Sequence, residues 1–362
     1  MARAAGSGYV GEPSRDRALP AKHRPTMHDV AAAAGVSAQT VSNLLNGKTN
    51  HVGHDAEARI RQAISRLGYK RNSTARGLRS QSTRALAFII GDDSEAFLGD
   101  PLTDLFLAGF GGELRRSDNA LLIDSYRPGD PLLSVTRHLD EGRVDGAVVL
   151  LSGALPERQR VAEHFLGSGY PLIFLQEHSL TIPEMVSISA DDYLGSCQLC
   201  EHLLQKGHER ISFVSAAENW SAIEQRILGY ADTMRKAGLE RNVQIVPAAS
   251  FAPRAGAEVG AALLAQDVPP TALVCGNDLL AVGVLRSAAE RGTRVPDDLA
   301  VTGFNDFSFA EIVTPSLTTV RVPGYEMGVA AAAALLRAAD NQPPATDTRY
   351  RVELKLREST GD

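Results

Sequence analysis

Residues 26–47 carry the pattern that most restricts the fold of this chain, because they read as two short helices joined by a tight turn. Thr26 can cap the first helix. The Asp29 side chain, three residues later, can accept a hydrogen bond from the Thr26 backbone amide, and its negative charge suits the positive end of the helix dipole. An apolar stripe at helical spacing follows, made of Val30, Ala31 and Ala34. The sequence therefore predicts a small helical element near residue 26.

The sequence also predicts the turn and the second helix. Gly35 supplies the turn, since glycine adopts a left-handed conformation at the lowest cost, and Ser37 can cap a helix from 38 to about 45. Its predicted inward positions are Val41, Leu44 and Leu45. Its predicted outward positions are Ala38, Gln39, Ser42 and Asn43, small or amide residues that fit a major groove. We predict that Gln39 and Asn43 read base edges. An ordinary helical hairpin with polar residues facing water is the alternative.

A third helix is predicted over 55–67, with Gly68 as its stop, and completes a small domain over 26–70. The polar, basic segment that follows reads as a linker that could become helical on DNA. Residues 26–80 contain eight Lys or Arg against three Asp or Glu, although the whole chain has a net charge of −6. A basic N-terminal domain on an acidic chain is expected when only that domain contacts DNA phosphates. The alternative is a basic surface that faces water and has no role in binding.

The order of these parts resembles the lactose and galactose repressor family (LacI/GalR) from Thr26 to the end of the chain. The motifs that carry the resemblance here are Asp29-Val30-Ala31, Ala34-Gly35-Val36-Ser37, Thr40-Val41-Ser42, Asn46, Tyr69, Asn72 and Ala75-Arg76-Gly77-Leu78-Arg79. The resemblance implies that a hinge segment, 71–83, folds when two subunits meet on an operator, and that Leu78 enters the minor groove and unstacks bases. A linker leucine packed on its own domain is the alternative.

The DNA contacts implied by motif and resemblance are Thr26, Ser37, Ala38, Gln39, Thr40, Ser42, Asn43, His51, Asn72, Arg76 and Leu78. Two residues depart from the family pattern. Arg71 stands where the family usually has proline, so the hinge helix loses a rigid start and gains a possible phosphate contact. Asn43 stands where many members have arginine, so the bases read by relatives do not transfer to this chain.

Beyond residue 84, apolar runs of strand length alternate with helical stretches. The runs are 86–90, 121–123, 146–151, 172–175, 211–214, 272–274 and 299–302. Such alternation predicts parallel sheets with helices on both faces. The predicted fold class is a small all-α helix-turn-helix head followed by an α/β body of two doubly wound subdomains.

The resemblance makes this body, 84–362, similar to periplasmic sugar-binding proteins, with three crossovers and a ligand cleft between the subdomains. It places subdomain one at about 84–184 plus 320–342, and subdomain two at about 185–316 plus 349–357. The motifs that carry it are Gly207-His208-Glu209-Arg210-Ile211, Ser221-Ala222, Gln225-Arg226, Gly229-Tyr230, Cys275-Gly276-Asn277-Asp278, Gly303-Phe304-Asn305-Asp306 and the stretch 315–320.

The family places an arginine at Arg226, an asparagine at Asn277 and usually an aspartate at Asn305, all pointing into the cleft. Their donors and acceptors suit a polyhydroxyl effector, and Phe251 or Trp220 could cover the apolar face of a sugar ring. Each of these side chains could instead be structural.

Gln176 is the remaining effector-binding candidate. It occupies a strand end where relatives often carry a charged residue, and Asn305 likewise replaces the common aspartate. Both changes remove a charged side chain from the predicted cleft, so the ligands of relatives do not transfer to this chain and the identity of the effector stays open.

Other classes of protein find little support. No run of 18 apolar residues and no signal peptide occur, which predicts a cytoplasmic protein without a membrane partner, and residues 1–25 read as a disordered tail. Cys197 and Cys200 fall in a predicted helix from about 194 to 205, so we expect packed thiols rather than a metal site, and no cofactor. Glycine-rich nucleotide loops and a nucleophile elbow are absent, which argues against an enzyme.

We therefore predict a sequence-specific transcriptional regulator, most often a repressor in this family. It would dimerise through its body so that two heads meet a near-palindromic operator. A carbohydrate-like effector would control operator affinity by coupling cleft closure to the spacing of the hinge segments. The alternative is a cytoplasmic solute-binding module whose head has lost its affinity for DNA.

Overall fold

The computed structural model describes residues 25–45, 48–69, 82–92, 99–216, 220–340, 342 and 347–362. The chain separates into two units, residues 1–79 and 80–362. The predicted tail and most of the predicted hinge segment lie outside the described residues. We call the described helical part of the first unit the head and the second unit the body.

Three helices form the head: α1 (Met27–Ala34), α2 (Ala38–Leu45) and α3 (His54–Leu67), with a short 3-10 helix at Thr49–His51. The predicted capping box is confirmed, since Thr26 Oγ1 accepts from the Asp29 amide at 3.3 Å and Asp29 Oδ2 accepts from the Thr26 amide at 2.7 Å. Gly35 ends α1 with φ 62°. The core of the head consists of Val30, Ala31, Ala34, Val41, Leu44, Ile60 and Ala63.

The body contains twelve described strands. They are β1 (Ala85–Gly91), β2 (Ala120–Tyr126), β3 (Ala147–Leu150), β4 (Leu172–Leu175), β5 (Ser187–Ala190), β6 (Ile211–Ala216), β7 (Gln244–Ala248), β8 (Ala272–Cys275), β9 (Ala300–Thr302), β10 (Thr319–Arg321), β11 (Thr348–Tyr350) and β12 (Glu353–Lys355). Sheet one is parallel, with the order β11-β5-β4-β3-β1-β2. Sheet two is parallel, with the order β7-β6-β8-β9, and β10 pairs with β12 antiparallel. The two predicted doubly wound sheets are confirmed.

The helices of the body run between these strands. They are α4 (Pro101–Arg116), α5 (Leu132–Val135), α6 (Arg137–Asp140), α7 (Leu155–Gly167), α8 (Asp192–Gln205), α9 (Ser221–Lys236), α10 (Pro253–Leu264), α11 (Asp278–Glu290) and α12 (Gly324–Ala339). Short 3-10 helices occupy Glu240–Asn242, Ser308–Glu311 and Glu358–Thr360. Leu86, Phe88 and Ile90 of β1 alternate with Ala87 and Ile89, and both sets are buried, because helices cover both faces of the sheet.

Two predicted subdomain limits were wrong. The chain leaves sheet one after β5, not near residue 184, because Ile188 of β5 is in register with Leu175 of β4. The predicted final strand, 349–357, is two strands: β11 joins sheet one beside β5, and only β12 returns to β10. These strands are short and partly polar, so their apolar pattern was too weak to reveal them.

Candidate functional site

The predicted reading helix, α2, is set in place by its turn and its apolar side. Ser37 Oγ accepts from the Thr40 amide at 3.1 Å, which caps the helix as predicted, and lies 2.9 Å from Thr40 Oγ1. Gln39 is exposed and Asn43 is half-buried. Gln39 Nε2 donates to Asn43 Oδ1 at 3.0 Å, so the two predicted base-reading amides form one polar pair on the surface of the head.

Ser42 does not face outward as predicted, because it is only 8% exposed. Ala38, Val41, Ser42 and Leu45 follow the i, i+3, i+4, i+7 spacing, which places them on one side of α2. Ala38 and Leu45 pack against the core of the head, so this side faces inward. Ser42 and the half-buried Ala38 therefore belong to the packing side of the helix.

The remaining predicted DNA contacts are spread around the head. Thr26 and His51 are both exposed, the first at the start of α1 and the second in the 3-10 helix after α2. The Thr26 hydroxyl donates to Asp29 Oδ2 at 2.8 Å, so it is engaged in the helix cap. Three further candidates, Asn72, Arg76 and Leu78, lie outside the described residues.

Of the predicted effector residues, Asn305 contacts the Arg226 guanidinium, which α9 brings into the interior. Arg226 is 3% exposed. Its Nε donates to Asp192 Oδ1 at 2.7 Å, Nη1 to the Gly276 carbonyl at 2.6 Å, and Nη2 to Asn305 Oδ1 at 3.1 Å. The guanidinium carbon lies 3.8 Å above the Phe304 ring. Each terminal nitrogen carries a second hydrogen that can be donated to a ligand.

Asp192 is the counter-charge of Arg226 and was not found from the sequence. It is fully buried at the first turn of α8. Burial favours the neutral acid, but Arg226 and His178, whose Nε2 lies 3.1 Å from Asp192 Oδ2, together hold the pKa of Asp192 below its usual value. The available signal was the acidic pair Asp191-Asp192 directly after a strand, where parallel sheets place their sites.

Two predicted amide residues also have structural roles. Asn277 Oδ1 accepts from the Leu280 amide at 2.9 Å and so caps α11, which leaves its amino group for other partners. Gln176, at the end of β4, has φ 56°, and its Oε1 accepts from the Ala190 amide at 2.7 Å. Gln176 therefore ties β4 to β5, and its Nε2 lies 3.4 Å from Asp192 Oδ2.

The two predicted aromatic residues occupy different surroundings. Trp220 is half-buried, directly precedes α9, and packs against the hydrophobic cluster that contains Phe304. Phe251 is half-buried against the cluster between sheet two and its helices α10 and α11. Trp220 thus packs against the same hydrophobic cluster as Phe304, the ring beneath Arg226, whereas Phe251 packs against a different cluster.

Asp278, which follows Asn277, is a further buried carboxylate, and the sequence analysis did not predict its burial. Its Oδ1 accepts from Thr319 Oγ1 at 2.5 Å and its Oδ2 accepts from the Phe307 amide at 2.7 Å. Burial raises the pKa of Asp278 to about 7 despite these two hydrogen bonds. The side chain thereby joins α11 to β10, the strand that leads the chain back toward sheet one.

Other sequence expectations concern metals, thiols and membranes. Within the described residues, no group of three or more His, Cys, Asp or Glu side chains is arranged to hold a metal ion. Cys197 and Cys200 are buried in α8 as free thiols, which confirms the predicted packing role. Among the described helices, none is both long enough and apolar enough to span a bilayer.

Comparison with known proteins connects both sites to one family. Residues 26–72 match the bacterial regulatory proteins of the lacI family, and residues 200–360 match the periplasmic binding protein-like domain. The chain is 30% identical over 310 residues to catabolite control protein A of Priestia megaterium, which covers 84% of this chain and 90% of that protein.

Solved structures share the architecture. The transcriptional regulator CelR in complex with cellobiose matches with a TM-score of 0.68 and 25% identity, over 93% of this chain and all of that chain. The lac repressor dimer bound to operator and the anti-inducer ONPF matches with a TM-score of 0.82 and 22% identity, over 93% of this chain and 99% of that chain. The 30% identity to catabolite control protein A and the match of residues 26–72 show that the chain belongs to the lacI family of bacterial regulatory proteins.

Proposed function

We propose that this protein is a homodimeric transcriptional repressor, without catalytic activity, that binds a near-palindromic operator and is controlled by a polyhydroxyl effector in the cleft of its body. The DNA-binding part is supported by the hydrogen-bonded pair of exposed Gln39 and half-buried Asn43, on a helix whose other side is packed into the head. Amide side chains form paired hydrogen bonds with adenine in the major groove.

The geometry of α2 supports base reading by these two residues. Their mutual hydrogen bond holds both amides on the exposed side of the helix, and each amide keeps donors and acceptors for a base. The contacts predicted for Asn72, Arg76 and Leu78 are part of the proposal as hinge contacts, by resemblance to the family. Two heads would be needed, since one short helix reads only a few base pairs.

The buried polar site of the body supports effector binding. Arg226 Nη2 donates to Asn305 Oδ1 and both groups retain hydrogen-bond capacity, and among the described residues no hydrogen bond uses the amino group of Asn277, beside Gly276. Because Asp192 already balances the charge of Arg226, an uncharged ligand rich in hydroxyl groups suits the site better than an anion. CelR was solved with cellobiose, a ligand of this chemistry.

The first experiment is selection from a random double-stranded DNA library by the purified full chain at fixed salt. The selected DNA is then tested with Gln39→Ala and Leu78→Ala. Gln159→Ala is the matched control, since Gln159 is an exposed glutamine on α7 of the body. We expect a shared near-palindrome and a loss of affinity of roughly 5- to 150-fold for Gln39→Ala, with no change for the control. Salt-sensitive binding without a shared sequence would instead indicate a solute-binding module with a degenerate head.

The effector is sought by thermal unfolding with a panel of neutral sugars and their phosphates. A ligand that binds only the folded state at a hundred times its dissociation constant adds about 2.7 kcal/mol of stability. We expect neutral sugars to raise the melting temperature and to change the affinity for the selected DNA. If only phosphorylated compounds act, the assignment of an uncharged ligand is wrong.

A further inference from the structure

A polar contact region joins the two subdomains beside the Arg226 site. Sheet one contributes α7 and the residues that follow β4, and sheet two contributes the start of α9. The backbone amide of His178 donates to Ser221 Oγ at 2.8 Å, and Ser179 Oγ lies 3.2 Å from the same hydroxyl. These contacts cross from one subdomain to the other, so they hold the carboxyl end of β4 against α9.

Arg158 is the central side chain of this region. It lies on α7 with 0% exposure. Within subdomain one, its Nε donates to Glu177 Oε2 at 2.9 Å and its Nη1 to the Gly153 carbonyl at 2.8 Å. Across the boundary, Nη1 and Nη2 donate to Glu224 Oε1 and Oε2 at 3.0 and 2.8 Å. This two-point contact is the strong, directional form of an arginine–carboxylate pair.

The two carboxylates that bind Arg158 differ in exposure. The Glu177 side chain is 1% exposed, whereas that of Glu224 is 36% exposed. Glu177 therefore balances the buried charge of Arg158 within its own subdomain, and Glu224 is the partner that can be released into water. Separation of the subdomains on this side would break both hydrogen bonds to Glu224 but would leave Arg158 paired.

Ser179 strengthens the cross-boundary pair. Its hydroxyl donates to Glu224 Oε2 at 3.0 Å, so Glu224 accepts hydrogen bonds from Arg158 and Ser179, both of subdomain one. Glu224 also lies on α9 two residues before Arg226, which forms the candidate effector site. A movement of α9 away from sheet one would therefore change both sites together.

We propose that the Arg158–Glu224 pair is a latch that holds the two subdomains together beside the cleft, and that Arg158 and Glu224 are positioning residues for the effector response. The role in the effector response rests on the proposed function, whereas the latch itself does not. The latch stabilises the joined arrangement before any ligand arrives. An effector that binds the same arrangement then spends less of its binding free energy on closing the cleft.

The latch is tested by hydrogen exchange on the full chain without ligand or DNA. Glu224→Gln keeps the shape of the side chain and removes its charge. Glu163→Gln, an exposed glutamate on α7, is the matched control. We expect exchange of the His178 amide and of the first turn of α9 to become roughly tenfold faster in Glu224→Gln only. Equal exchange in both variants would overturn the latch.

Ser179→Ala is the second variant, because it removes one hydrogen bond to Glu224 and changes no charge. It should accelerate exchange at the same amides by a smaller factor, and unchanged exchange there would also count against the latch. Far-ultraviolet circular dichroism and thermal unfolding confirm that each variant is folded.

The coupling half is tested with the DNA selected from the random library. The apparent dissociation constant of Glu224→Gln for that DNA should differ at least threefold from those of the wild type and Glu163→Gln. Faster exchange with unchanged DNA affinity would remove the positioning role and keep the latch. Failure of the library to yield a sequence would refute the proposed function, while the exchange data would still decide the latch.

Discussion

Replacement of Arg226 by alanine should destabilise the body strongly, because it leaves the buried Asp192 carboxylate without its main counter-charge. The two side chains are 3% and 0% exposed, so the carboxylate would remain at a site with little access to bulk water. Removing one member of a buried ion pair costs about 3–5 kcal/mol. For a unit of this size, a loss of about 4 kcal/mol lowers the melting temperature by roughly 8–16 °C.

The matched control is Arg286→Ala on α11. Arg286 also pairs with a carboxylate, since its Nε lies 2.8 Å from Glu290 Oε1, but the two side chains are 71% and 60% exposed. Ion pairs between such exposed side chains contribute little to stability, because water screens both charges. The two variants thus make the same chemical change, and the difference between their unfolding free energies measures the effect of burial.

The cost of Arg226→Ala should also depend on pH. In the wild type, the pKa of Asp192 is held below its usual value, so the stability from its ion pair is present at neutral pH and is lost as the pH falls through the lowered pKa. In the variant, burial acts with less opposition and raises the pKa of Asp192. The carboxylate is then destabilising mainly at high pH, and at lower pH it binds a proton.

The assay is urea unfolding of wild type, Arg226→Ala and Arg286→Ala at pH 5.5 and pH 8. We expect the cost of Arg226→Ala to be smaller at pH 5.5 than at pH 8, and the cost of Arg286→Ala to stay small at both. A cost below about 1 kcal/mol for Arg226→Ala, or equal costs at the two pH values, would refute the reasoning about the buried pair.

Three further predictions concern the body. Burial raises the pKa of Asp278 from its usual 3.8 to about 7, so the free energy of unfolding should fall as the pH rises through this interval. Asp278→Asn should flatten the part of this decline that urea unfolding measures between pH 5 and pH 8. Gly109→Ala should cost about 1–3 kcal/mol in thermal unfolding, because its Cβ would overlap the backbone of α12, whereas Gly111→Ala on the same helix meets only a methyl group at 3.4 Å and should be near neutral. Asp145 accepts four hydrogen bonds of 2.7–2.9 Å from residues 82–84, so Asp145→Asn should speed amide exchange there, and unchanged exchange would show that these bonds do not hold the segment.

The parts of the fold that depend on neighbouring residues were predictable from the sequence. The capping box at Thr26 and the turn at Gly35 each involve groups within a few positions, and the structure has both. The pairing of Arg349 with Ser189 in sheet one was not predictable, because the two strands are far apart in sequence and neither is a clear apolar run. Ser42 was misplaced because a polar residue can occupy a packing position.

Only part of the candidate effector site was predictable, because its partners are also far apart in the sequence. The resemblance to a family identified Arg226, but not the carboxylate that holds it. Asp192 lies 34 positions away, and Glu224 lies 66 positions from Arg158. Buried ion pairs between distant segments leave no local periodicity, so three-dimensional structure was needed to connect them.

The late position of β11 and β12 affects synthesis of the chain on the ribosome. The described head ends at Tyr69, whereas sheet one gains its last strand only at Thr348–Tyr350 and β10 gains its partner at Glu353–Lys355. At about 5–20 residues per second, the interval between these points is roughly 15–60 s. During that time a nascent chain carries the complete helix α2 and an unfinished body, so under the proposed function each new molecule would gain its DNA-reading residues before its ligand site is complete.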